Sequence, residues 1–482
     1  MSLKTSSQSL NDEGEPHSGF VRNLGRAIIV AATLSSIAYA ADKPATPPPA
    51  APPVPLVPPI AVSPSVVPDD ADAAAAADEE LAAQPVSNAA RTRLERVRDS
   101  VVQIRGFVGD GQSDAFHGSG FAATADGLIV TNYHVVSEAI LYPQQYRLEY
   151  LASDGRSGQL VIHGFDVEHD LAVVKAENFA PRALRIRTQI PSKGDRAYSV
   201  GFPLNLGLTI TEGVSNGLVE KTLEQKIHYS GAMNGGMSGG PALDAGGAVY
   251  GVNVSVLYSG QSVSFVVPAK HIEPLLARSK APLDSSSARE QVAAQLLQHQ
   301  ASLFDSIPAK LETQTFIGYA LPAKIAPAFE CNSGGSMDPN MPVRISTIGC
   351  WANVGVYVQK GLDTGDIYFL HRILQTDRLH PLQFSDFVNK NASAFAWGGS
   401  QDHVAPFACK NDIVALNGFD ARVSICMRQY RMYASLYDVA VTVVSLKNSQ
   451  DAVLSNVRLR GVAFDAATKF IRRYLEGMQW KQ

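Results

Sequence analysis

The chain has 482 residues, 45% of them hydrophobic and 18% charged, with a formal net charge of −4. That length accommodates about three segments of domain size and more than one core. The near balance of charge excludes the basic footprint of a nucleic-acid-binding protein and a polybasic membrane surface, and it leaves protein substrates open.

Residues 1–40 read as an export signal. Arg22 and Arg26 precede an apolar run over 27–37, and Ala38-Tyr39-Ala40 supplies a small-x-small cleavage pattern. The run is short for a bilayer span, so membrane attachment is expected only if the leader is retained. Residues 41–87 form a Pro/Ala-rich linker: 11 of the 28 prolines fall between 44 and 68, and an acidic alanine tract follows over 69–80. Such a stretch is extended and has too little bulky apolar surface for a core, which predicts a disordered spacer or tail. The leader places the mature protein outside the cytoplasm, periplasmic or secreted.

A folded domain is expected over 88–280. Asn88 can cap a short basic helix over 89–98, and the run 101–108 reads as a strand. Further β-type runs are separated by turn signals: Asp126-Gly127 before 128–132, alternating Tyr146, Leu148 and Tyr150, then Asp154-Gly155. Residues 171–174 form a short apolar strand, and Gly246-Gly247 turns the chain into another over 248–256. Regular short strands of this kind predict an all-β double barrel.

The chemistry centres on residues 231–241, a glycine-dense turn around Ser238. Residues without Cβ tolerate backbone conformations that expose a serine Oγ and aim neighbouring N–H groups at one point, where an oxyanion can sit. Gly236-Met237-Ser238-Gly239-Gly240 also fits the nucleophile elbow of α/β-hydrolases, so the turn alone does not choose a reaction class. Chain order does. A hydrolase of that kind needs its acid and histidine after the serine, whereas His134 and Asp170 both stand before Ser238, as in chymotrypsin-like enzymes. We therefore assign His134 as general base, Asp170 as the carboxylate that fixes its tautomer, and Ser238 as nucleophile. The N–H groups of Gly236 and Ser238 are assigned to the oxyanion hole. His169 should face away from Asp170 on a strand and has no role. His117, His163 and His228 lack metal-ligand spacing, so neither a metal nor another cofactor is expected.

Several motifs in one order carry a family resemblance. Gly118-Ser119-Gly120-Phe121 and residues 126–136 resemble the histidine strand of the HtrA/Deg branch of trypsin-like serine proteases. Residues 200–213 and Ser264-Phe265-Val266-Val267-Pro268 are similar to that family's stretch before the serine and to its closing strand. The resemblance implies two six-stranded barrels with catalysis between them. It also implies that Ala232 and Met233 lie at the base of the S1 pocket, with Val254, Ser255 and Val256 forming a wall that pairs with substrate backbone. No acid stands at that base, so cleavage is expected after small or medium aliphatic residues. Two departures touch the oxyanion loop: Met237 stands where the family usually has asparagine, and Gly235 where it has proline. They imply a loop less fixed before substrate binds.

Composition changes beyond Pro282, and no PDZ signature, the usual companion module in that family, is recognisable there. Residues 281–482 are expected to form a separate α+β domain. It begins with an amphipathic helix over 287–304, continues through β-like runs at 316–321, 354–358, 367–370, 414–425 and 439–446, and ends in a helix capped by Asp465. All four cysteines, Cys331, Cys350, Cys409 and Cys426, lie in it without the close pairs of zinc sites. Three disulfide connectivities are open; Cys331 to Cys350 and Cys409 to Cys426 are favoured because each closes a short loop.

The leading functional reading is an exported serine endopeptidase that acts on protein or peptide substrates, its C-terminal domain recruiting substrate or a protein partner. Its rival is a binding or chaperone-like protein on the same fold that no longer hydrolyses peptides. An esterase is disfavoured by residue order.

Overall fold

A computed structural model describes residues 87–481 apart from positions 178, 180, 221–224, 257–262, 328, 337, 339, 353–354, 393–396 and 447–449. The export signal and the body of the Pro/Ala-rich linker lie outside the described residues.

The chain enters through helix α1, Asn88–Val97, and its cap is Ser87, one residue before the expected Asn88. The Ser87 hydroxyl accepts from the Ala90 N–H at 3.3 Å, satisfying one of the free donors of the first turn. Strands β1 (Val101–Val108), β2 (Asp114–Ala122), β3 (Leu128–Thr131), β4 (Tyr146–Ala152), β5 (Ser157–Asp166) and β6 (Leu171–Ala176) close into a barrel of order β1-β2-β3-β6-β5-β4. The second barrel contains β7 (Arg196–Gly201), β8 (Thr209–Leu218), β9 (Ile227–Tyr229), β10 (Pro241–Asp244), β11 (Val249–Val256) and β12 (Ser264–Pro268), in the order β10-β11-β12-β9-β8-β7. This is the predicted trypsin-like pair of barrels. Helix α2, Tyr133–Leu141, follows β3, so His134 sits on the first turn of a helix and not on the strand expected for it. A short helix α3, Ile272–Arg278, follows the second barrel and packs against β5 and β6 of the first.

Helix α4, Ala288–Asp305, leads into the C-terminal region. Its buried residues Ala288, Val292, Leu296, His299, Gln300 and Leu303 recur every three or four positions along one stripe. At about 27 Å in length it serves two cores. Ala288, Val292 and Leu296 pack with the interior of the first barrel, whereas Leu303 belongs to the core of the C-terminal sheet.

That sheet has seven antiparallel strands. They are β15 (Phe329–Ser336), β16 (Arg344–Ala352), β19 (Ile367–Gln375), β20 (Ala408–Leu416), β21 (Phe419–Gln429), β22 (Leu436–Ser445) and β23 (Asp451–Ala463), in the order β15-β16-β19-β23-β22-β21-β20. A hairpin of β13 (Thr313–Phe316) and β14 (Tyr319–Pro322) pairs with the terminal β24 (Gln479–Trp480), and β17 (Val356–Gln359) forms a two-stranded sheet with β18 (Leu362–Thr364). Helix α5, Pro381–Asn391, covers one face of the large sheet and α6, Phe464–Glu476, the other.

The run 414–425, read as one strand, folds back at Gly418, whose φ of +87° is open to glycine, and becomes parts of β20 and β21. Asp465 lies inside the first turn of α6, and the cap position is Ala463.

Both favoured disulfides are present, Cys331–Cys350 and Cys409–Cys426, with Cα atoms 4.1 and 4.0 Å apart. Each joins residues directly opposite one another, in β15–β16 and in β20–β21, the two edge pairs of the sheet.

Candidate active site between the barrels

Asp170 is the corner of a tight turn. Its N–H donates to the Val167 carbonyl at 3.3 Å, and its carbonyl accepts from the Asn132 side-chain amide at 2.8 Å. Its φ is +53°, a left-handed conformation that aspartate adopts more readily than most residues but still at a cost. The turn aims both carboxylate oxygens at α2. Oδ1 accepts the His134 backbone N–H at 2.9 Å, one of the donors left free at a helix start, and Oδ2 faces His134 Nδ1 at 2.7 Å. One side chain thus caps the helix and orients the ring. Burial works against the charged imidazole, but the Asp170 charge and hydrogen bond outweigh it, and the His134 pKa stands above the ordinary histidine value.

His169, expected on a strand, is in the same turn, with its ring stacked on His271 at 3.7 Å and Nδ1 3.1 Å from Asp166. Burial and the neighbouring His169 push the His271 pKa down to about 4. Burial opposes ionisation of Asp166, but His169 and Arg278, through their hydrogen bonds, hold its pKa down to about 2. This anchors the base of the 167–170 turn to α3.

Ser238 is carried by the turn before β10. Two glycines there are dictated by space. Gly236 has φ +97°, and a Cβ would lie 2.4 Å from the Phe202 carbonyl; Gly239 has φ +85°, and a Cβ would lie 2.1 Å from the Ser119 carbonyl. The turn is tied to the first barrel by Ser119, whose N–H donates to the Ser238 carbonyl at 2.8 Å and whose hydroxyl donates to the Gly236 carbonyl at 2.6 Å. The Leu204 N–H holds the Gly235 carbonyl at 3.0 Å, and Met237, in place of the polar residue of the resembled family, is buried. The Ser238 hydroxyl donates to the Val254 carbonyl at 3.0 Å, so its proton is not directed at His134.

His134, Asp170, Gly236 and Ser238 line one cleft of about 450 Å³. Met233 and Val254 line it as well, but Ala232, assigned to the pocket base, is exposed and absent from the lining, and Val267 is present there instead. Ser255 and Val256 continue the strand β11, paired with Phe265 and Ser264 of β12. His117, given no role from sequence, also lines the cleft close to Gly236. His163 bonds the Ser279 carbonyl at 3.0 Å, and His228 lies on β9.

Sequence reasoning also missed, from outside the barrels, Gly355, Val356 and Tyr357 of the C-terminal region, which form part of the cleft wall. No local signal marks them, because their relevance comes only from how that region docks.

Residues 118–252 match the family model described as a trypsin-like peptidase domain. A probable periplasmic serine endoprotease, DegP-like, of Chlamydia trachomatis is 35% identical over 169 residues, which cover 33% of this chain and 32% of that protein. Serine protease HTRA4 of Homo sapiens is 30% identical over 199 residues, 38% of this chain and 40% of that one. The crystal structure of the Rv3671c protease from M. tuberculosis in its active form is 21% identical, covers 42% of this chain and 92% of its own, and has a TM-score of 0.37. The chain therefore spans about a third of the length of the first of these curated relatives and two fifths of the second. Its barrels are a trypsin-like peptidase domain similar to that of these DegP- and HTRA-named relatives.

Proposed function

We propose that the protein is an exported serine endopeptidase that cleaves protein substrates after small or medium aliphatic residues. The observation that carries this reading is the double contact of Asp170 with His134, across one cleft from a serine in a glycine-dense turn.

In the resting arrangement the Ser238 proton is given to the Val254 carbonyl. A substrate strand pairing with β11 would bring its own N–H to that carbonyl, and the hydroxyl would then turn to His134 Nε2. His134 takes the proton as Oγ attacks the scissile carbonyl, while Asp170 stabilises the imidazolium. The N–H groups of Gly236 and Ser238 receive the oxyanion, a contribution of about 3–4 kcal/mol. His134 then protonates the leaving amine, and water hydrolyses the acyl-enzyme by the same route in reverse. The working base is neutral imidazole. Since its pKa is raised, activity is present above that pKa and lost as the pH falls through it.

Preference for an aliphatic P1 follows from Met233, Val254 and Val267; the cleft acids Glu168 and Asp170 belong to the turn beside His134, and Lys226 adds a like charge against a basic P1. Similarity to the periplasmic DegP-like relative favours export. Among the described residues no helix is long and apolar enough to cross a membrane.

A fluorophosphonate probe tests the reading on the full chain. Labelling of wild type but not of Ser238→Ala is expected, with peptide-library cleavage after Ala, Val or Leu. Absence of labelling across pH and added peptide would leave the binding-protein reading, and cleavage confined to Lys or Arg would overturn the assigned pocket.

A further inference from the structure

The C-terminal region is joined to the helix that bears His134. Tyr133, the residue before the histidine, sends its buried hydroxyl to the Val358 carbonyl at 2.8 Å. Tyr142 reaches Gln359 Oε1 at 3.3 Å, and the Lys360 N–H donates to Glu138 Oε1 at 3.2 Å. These three bonds pin the hairpin β17–β18 along α2. Val356 and Val358 are buried, within the same core as the first barrel, and fix its depth. Between them Tyr357 is half-buried, its ring edge-on to the His134 ring at 5.9 Å and to the Tyr133 ring at 6.4 Å. Burial pushes its phenol up to about 12, so it is a neutral wall through the working range.

Substrate side chains alternate along an extended strand. If P1 enters the side of the cleft formed by Met233 and Val254, the neighbouring P2 side chain points the other way, towards His134. There it meets the 167–170 turn on one side and Tyr357 on the other.

We infer that Tyr357 is a specificity-determining residue supplied by the C-terminal region, which restricts P2 to small side chains. The inference rests on the peptidase reading above. A bulky P2 would have to displace a ring whose strand is bonded to α2, whereas alanine or serine demands far less of that space. The C-terminal region is thus a structural part of the substrate cleft.

The test compares full-length wild type, Tyr357→Ala and Tyr357→Phe on two peptides that differ only in alanine or phenylalanine at P2. Wild type should favour the alanine peptide in kcat/KM by at least about tenfold. Tyr357→Ala should cut that ratio about tenfold, the phenylalanine peptide gaining relative to the alanine peptide. Tyr357→Phe should keep the wild-type ratio, because the ring and not the hydroxyl does the excluding. An unchanged ratio in Tyr357→Ala, or a wild type indifferent to P2, overturns the inference while leaving the peptidase reading intact. A wild type that neither cleaves nor labels removes that reading and this one together. Should Tyr357→Ala not fold, Tyr357→Leu, which keeps apolar volume without the ring, must show the same shift in ratio; no shift there overturns the inference equally.

Discussion

In the two barrels every strand finds neighbours on both sides, because each sheet closes on itself, and no cysteine lies among residues 88–280. The C-terminal sheet is open. Its edge strands β15 and β20 are largely exposed, and a disulfide staples each to its inner neighbour. The polar groups follow the same division. The barrels place their His134–Asp170 pair at the rim of a cleft, whereas the C-terminal region buries an ion pair, Arg428–Asp438 at 2.8 Å, with Tyr430 and the Gly461 N–H also bonded to Asp438. Closure lets the barrels hold reactive groups on turns at their ends. The open sheet carries covalent reinforcement at its edges and an ionic one within. Chemistry and rigidity are thus divided between regions that share one core through α4 and the β17–β18 hairpin.

That division predicts where substitutions should act. Asp170→Asn should have the largest effect on rate, lowering kcat by about 10⁴-fold with little change in melting temperature, because the tautomer is lost and the fold is not. Its residual activity should have an acid limb below that of wild type, since the carboxylate that raises the His134 pKa is gone. A pH-rate profile reads both, and an unshifted limb would detach Asp170 from His134.

In the other region, Asp438→Ala leaves Arg428 buried without its partner and should cost about 3–5 kcal/mol of stability in denaturant titration. Cys331→Ser with Cys350→Ser, which opens a loop of 19 residues, should cost about 3 kcal/mol. Neither should change fluorophosphonate labelling of the folded protein at low temperature by more than about threefold, the scatter expected of substitutions that spare the site. A large loss of labelling in protein that is still folded would show that the regions are not separable in this way.

Back in the barrels, Gly236→Ala should reduce kcat by about 10²–10³-fold, because its φ of +97° and the Phe202 carbonyl leave no room for a side chain. Gly235→Ala, with nothing within 4 Å of the added carbon, should stay close to wild type. Hydrogen exchange carries the smallest effect. The amides of Gly235 to Met237 should exchange faster than those of β7 and β11, and equal protection would mean that the hydrogen bonds from Ser119 and Leu204 already fix the loop.

Much of this is legible in the sequence. The glycine turn around Ser238, the residues flanking His134 and Asp170 and their order along the chain are local signals, because nucleophile turns and turn aspartates demand particular residue types at particular steps. The two cysteine pairings were legible because short loops bring their ends together at little entropic cost. The position of His134 was misread because an apolar run such as Val135-Val136 fits a strand as well as a helix, and only packing against the first barrel and Val358 selects the helix.

Sequence alone determined which side chains are candidates for the acid, base and nucleophile roles, since those depend on residue chemistry and local backbone freedom. Tertiary structure alone decided that the Ser238 hydroxyl rests on Val254, that Val267 and not Ala232 lines the cleft, and that Tyr357 stands beside His134. Those are contacts between segments far apart in the chain. Non-local packing creates them, and no periodicity or motif within either segment records the other.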